Sequence, residues 1–217
     1  MVALARQMMG DMLKQLKACR AAIALTALLA MLVLAAVYLL ARSSGHALDQ
    51  LTRDPAAITK TPAYYGLLSN LTVLAWTTGA VICFFAFALC RRRLDLSASR
   101  FFFWAAMLTS LLTFDDLFML HEAVLPELTG WPESVFTAAY PLFMLLFLAV
   151  FCRFILRTDW VLLAAALGCM AASVGMDVLF EFSESEIFLE DGFKFAGTLM
   201  WAVYFGRAAM QRLSSAG

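Results

Sequence analysis

Residues Ala21–Ala41 read AAIALTALLAMLVLAAVYLLA, an uninterrupted apolar run with Thr26 and Tyr38 as its most polar members. At about 1.5 Å per residue a helix of this length covers about 30 Å, the thickness of a bilayer's hydrocarbon core. A secretory signal has an apolar region of only about 7–15 residues, so the run predicts an uncleaved spanning helix. The rest of the chain follows suit: 63% of its 217 residues are hydrophobic, 15% are charged and the mean hydropathy is +0.82. Those values lie outside the range of water-soluble domains. Further apolar runs occur at Tyr64–Cys90, Phe101–Val124, Val135–Phe154, Trp160–Phe182 and Phe193–Tyr204.

The expected fold is therefore an all-α bundle of six transmembrane helices, residues 21–210. A cytoplasmic segment, 1–20, precedes it and a cytoplasmic tail, 211–217, follows. In the leading segment Leu4, Met8, Met12 and Leu16 recur at helical spacing among Arg6, Lys14 and Lys17, which predicts an amphipathic helix on the membrane surface.

Lys and Arg collect on the cytoplasmic side of membrane proteins. With the N-terminus inside, twelve of the sixteen basic residues fall on inner segments, including Arg91–Arg93, Arg100, Arg153, Arg157, Arg207 and Arg212. Both termini are then cytoplasmic, and the bacterial inner membrane is the expected location. The Arg91–Arg93 run is a membrane anchor on this reading, and no nucleic-acid partner is expected.

The acidic residues sort the other way. Only Asp11, Asp95 and Asp159 fall inside, and the other thirteen lie in outer loops or in the outer parts of spans. Most concentrated is Thr113–Glu122, TFDDLFMLHE. Ionisable groups within a span cost roughly 2.5–3.5 kcal/mol each on insertion scales and normally face a partner or an aqueous cavity. On a regular helix Asp115 and Glu122 lie within about 20° of each other, with Asp116 and His121 about 100° and 120° to either side. The helix is expected to loosen near Val124–Pro126, because the residue before a proline disfavours the α conformation. Ser173, Asp177 and Glu181 line one stripe of the fifth helix, and Lys194 opens the sixth one turn from Glu190 and Asp191.

Carboxylates with one imidazole suit a divalent ion such as Mg²⁺, Ca²⁺, Mn²⁺ or Zn²⁺. The expected metal ligands are Asp115, Asp116, Glu122, Asp177 and Glu181. His121, Glu122 and Lys194 are the expected catalytic groups: a metal-bound water becomes a nucleophile near neutral pH, and His121 or Glu122 moves its proton. The function this predicts is a metal-dependent hydrolase or transferase acting on a lipid or lipid-linked substrate. Membrane lipid is the expected partner, with a homo-oligomer left open. A cation- or proton-coupled transporter and a non-catalytic assembly or sensor subunit are the alternatives. The chain has no Cys-x-x-Cys, no Gly-x-Ser-x-Gly and no P-loop, and a single histidine in its membrane region argues against bis-histidine haem.

The combination DDLFMLHE (115–122), SVGMD (173–177) and EDGFKFAGTLMW (190–201) resembles a group of small six-span bacterial membrane proteins without an assigned function. Asp115–Met119 is also similar to an acidic intramembrane motif of the alkaline-ceramidase-like hydrolases, which implies a metal-binding role for Asp115 or Asp116. That superfamily uses three histidines, an aspartate and a serine, and the His-x3-His pair is missing here.

Overall fold

The structure, a computed structural model, describes residues 2–179 and 184–214, with some side chains near 2–16 and those of 177–179 and 184–185 left out. The described residues form nine α-helices and one π-helical turn, without a strand, and the chain divides into two compact units, Met1–Tyr65 and Gly66–Gly217.

In the first unit α1 spans Val2–Ser44 as one helix of 43 residues. The boundary expected near residue 20 between a surface helix and a span does not break it. The physical reason is local: between Asp11 and Ser44 the sequence holds neither glycine nor proline. Its stretch Lys17–Ser44 is long and apolar enough to cross a membrane, and Leu25, Leu29, Met31 and Leu34 stand exposed along it. Two short helices follow, α2 (Leu48–Thr52) and α3 (Pro55–Thr59). Asp54 caps α3 by accepting from the N–H groups of Ala56 and Ala57 at 2.8 and 3.4 Å.

The second unit is a helix bundle of α4 (Leu67–Arg92), α5 (Leu96–Phe118), α7 (Glu133–Ile155), α8 (Trp160–Leu179) and α9 (Glu184–Ser214). Between α5 and α7 lie the π turn Leu120–Val124 and the short helix α6 (Leu125–Thr129). Helix α4 packs along α5 and α9, α8 along α9, and α7 against α5 and the π turn. Of this unit, α4, α5 and α7 are long and apolar enough to cross a membrane. The apolar part of α8, Trp160–Met176, is shorter, and the first turns of α9 carry Glu190, Asp191 and Lys194. Four helices thus qualify by length and composition where six spans were expected.

At the core Phe101 is fully buried among the rings of Phe102, Phe147, Phe151, Phe154 and Phe205, with the Phe154 ring stacked at 4.2 Å. Trp201 meets Trp76 edge-on and donates its indole N–H to Thr109 Oγ1 at 3.0 Å. Between α8 and α9 the backbones approach closely at Gly197: a Cβ there would stand 2.9 Å from the Ala166 carbonyl oxygen. A small residue at such a crossing lets the two helix backbones come close.

The arginine-rich ends of the helices share one end of the bundle. Arg207 pairs with Asp159, Arg93 donates to the Leu213 carbonyl and Arg212 lies over the Phe154 ring. The acidic stretch of α5 therefore sits at the opposite end, with the start of α9.

Candidate functional site

The stretch TFDDLFMLHE does not continue as an α-helix. Helix α5 stops at Phe118 because Met119 adopts a left-handed backbone, φ 52° and ψ 47°, whose N–H closes on the Asp115 carbonyl. That conformation costs a non-glycine residue about 1–2 kcal/mol. The break comes at residue 119, ahead of the loosening expected near Val124–Pro126, and it has no glycine or proline to announce it.

The reversal folds the next turn back onto Asp115, which is buried. Its Oδ1 accepts the backbone N–H of His121 at 2.9 Å and the hydroxyl of Tyr140 at 2.6 Å. Its Oδ2 lies 2.6 Å from Nδ1 of the His121 ring. A carboxylate only accepts, so Nδ1 carries the proton of that bond, and in the neutral ring Nε2 keeps its lone pair. Nε2 stands 3.7 Å from Glu122 Oε1, too far for a hydrogen bond but close enough to feel its charge. Tyr140 presents its ring edge-on to the imidazole at 5.4 Å between centroids.

The Asp115 bond is the largest influence on His121 and raises its proton affinity; partial burial opposes it, and the charges of Asp115, Glu122 and Glu133 add to the rise. The imidazole is thereby held above the usual histidine range. A group whose folded pKa exceeds its unfolded value of about 6.5 stabilises fully below that value and loses the contribution as pH rises through the folded pKa. Unfolding free energy should therefore decline as pH is raised above about 6.5, and this decline should be missing from His121→Gln. A wild type that gains stability relative to His121→Gln over that window would contradict the pairing.

Beside this trio, Asp116 is 8% exposed and pairs with Lys194 of α9 through Oδ1. Its other oxygen, Oδ2, is buried without a hydrogen-bond partner. The Lys194 side chain is 40% exposed, and the charges of Asp116, Glu122 and Asp191 surround it.

The structure thus brings Asp115, His121 and Glu122 together, and joins Asp116 to Lys194. One expectation changes. Asp115 and Glu122 do not share a helical face, since the helix ends between them, and the oxygens of Asp115 are engaged by His121 and Tyr140. Lys194, one turn from Glu190 and Asp191 on its own helix, pairs with Asp116 on another. Asp177 closes α8 with a side chain outside the described residues, and Glu181 lies outside them altogether. Among the described residues no group of three or more His, Cys, Asp or Glu is placed to hold a metal ion. On α4, the hydroxyls of Thr72 and Thr77 bond back to Leu68 and Val73 of their own helix, which is packing chemistry. Tyr140 is the functional group the sequence reading missed.

The chain belongs to the DUF8692 family, a domain of unknown function, which it matches over residues 22–208. That span includes the trio and Lys194, and it agrees with an uncharacterised family while lending nothing to the ceramidase-like resemblance. No curated protein and no solved structure matches the chain.

Proposed function

We propose that His121 is the acid–base group of a membrane hydrolase or transferase acting on a lipid or lipid-linked substrate. The observation that supports this best is the Asp115 bond to Nδ1, which fixes the ring and leaves Nε2 as its working atom. Carboxylate-oriented imidazoles of this kind contribute on the order of 10²–10⁴-fold in rate as general bases. Nε2 takes a proton from water or an acceptor hydroxyl, the resulting oxygen nucleophile attacks the substrate's electrophilic centre, and the imidazolium returns the proton to the leaving group. Tyr140 and the His121 N–H hold Asp115 in place throughout.

The reading includes six spans in a bacterial inner membrane with both termini cytoplasmic. Helix α8 has 20 residues and α9 has 31, enough at about 1.5 Å each to cross about 30 Å. The arginine-rich end would then face the cytoplasm and His121 the outer leaflet.

The same Asp115 bond favours a second reading, since metal-bound histidines characteristically give their other N–H to a carboxylate. In that case Nε2 of His121 and Glu122 would hold a divalent ion, Zn²⁺, Mn²⁺, Mg²⁺ or Ca²⁺, with Asp177 and Glu181 as further ligands; the ion would supply an acidified water.

One experiment tests both. A His46→Asn variant retains a single imidazole for acylation by diethylpyrocarbonate. Rapid modification of His121, slowed about tenfold or more by Asp115→Asn, is expected from an oriented Nε2. An inert His121 in the folded protein would overturn the acid–base proposal. Stabilisation of wild type, but not of His121→Gln, by one of the four ions would select the metal-bound form.

A further inference from the structure

We infer that Asp116 and Lys194 form a recognition subsite for a primary ammonium group carried by the substrate, an inference that rests on the acid–base reading of His121. Two independent observations carry it. The first is the orphaned Oδ2 of Asp116, a buried acceptor with no donor, on a carboxylate whose equivalent oxygen already holds an ammonium, that of Lys194. Buried acceptors left unmatched are rare in folded proteins and call for a donor. The second is charge: Asp116, Glu122 and Asp191 all act on the Lys194 ammonium, so an incoming cation is favoured over an anion.

Together these specify the ligand's chemistry. A quaternary ammonium satisfies the charge but has no N–H to give Oδ2, whereas a primary ammonium supplies both, as Lys194 does for Oδ1. Oδ2 is enclosed, and the Lys194 side chain, 40% exposed on a flexible four-carbon stem, is the element able to move. The lysine is a tethered stand-in that a substrate amine partly displaces. The charge of Glu122, next to His121 in the chain, reaches Lys194, so a headgroup amine bound at Asp116 stands near the His121 centre.

The test measures binding alone. Wild-type protein in phosphatidylcholine nanodiscs, which contain no primary amine, is titrated with n-octylammonium, octyltrimethylammonium and ethylammonium by calorimetry. Octylammonium should bind about tenfold or more tightly than its trimethyl analogue, as expected for a charge-assisted hydrogen bond made by only one of them. Asp116→Asn should remove the preference, and His121→Gln should keep it. Lys194→Ala, which removes the competitor, should bind octylammonium more tightly than wild type. Ethylammonium binding equal to octylammonium would identify a free amine as the ligand, and much weaker binding an amine-bearing amphiphile. Equal affinity for primary and quaternary amines in wild type overturns the inference. So does a preference that survives Asp116→Asn, or octylammonium binding in Lys194→Ala no tighter than in wild type. Amine selectivity with an inert His121 would sink the acid–base reading and leave the subsite standing; a reactive His121 without selectivity would do the reverse.

Discussion

Asp115→Ala should lower the unfolding free energy in mixed micelles by roughly 3–5 kcal/mol, the range for removing one partner of a buried charged network. Three donors lose their acceptor at once: the His121 N–H, the His121 ring and the Tyr140 hydroxyl. The turn they anchor is joined to α5 through Met119 in its left-handed conformation, which these hydrogen bonds help to hold. Asp115→Asn keeps an oxygen for the His121 N–H and the Tyr140 hydroxyl but turns an amide toward Nδ1. Its expected loss is smaller, about 1–2 kcal/mol, while its effect on acid–base turnover through Nε2 should be larger, on the order of 10³–10⁴-fold, because the ring then favours the other tautomer. Equal stabilities for the alanine and asparagine variants would show that this carboxylate does not anchor the turn.

Phe101→Ala should cost roughly 2–4 kcal/mol. The five surrounding rings come from α5, α7 and α9, so the cavity would open where three helices meet and could not close by moving one of them. Water-soluble cores lose about 3–5 kcal/mol for such a truncation. The lower figure reflects the membrane reference state, in which a freed side chain meets lipid rather than water and only the packing is lost. Met107, exposed on the same helix, should tolerate alanine within about 0.5 kcal/mol. Similar losses at both positions would mean that the aromatic cluster does not organise the bundle.

Helices long and apolar enough to cross a membrane were legible in the runs, because hydropathy over about 20 residues is a strong signal. So was the need of the α5 carboxylates for partners, since charges deep in such runs demand a reason. Their partners were not. Reading Asp115 with Glu122 assumes a regular helix, and nothing in LFMLH signals a left-handed methionine. Spacing also sees only one helix at a time, which is why it could place Lys194 near the acidic stretch of α5 without singling out Asp116 as its partner. Tyr140 was hidden for another reason: an aromatic residue in an apolar span reads as packing, and its hydroxyl gains meaning only when an acceptor from elsewhere stands 2.6 Å away. The fifth and sixth runs were the least decisive, being short in one case and mixed with charge in the other.

The π turn at Leu120–Val124 closes with the Val124 N–H reaching the Met119 carbonyl five residues back at 3.2 Å. Such a turn holds about one residue more than the α-helical turn it replaces. The pairing of His121 with Asp115 depends on the number of residues between them as well as on which they are. A relative lacking Leu120 would preserve each acidic side chain, the histidine and the tyrosine, and still aim its imidazole roughly 100° away. In this family a single-codon deletion there would thus mark a changed site that residue identity alone would overlook.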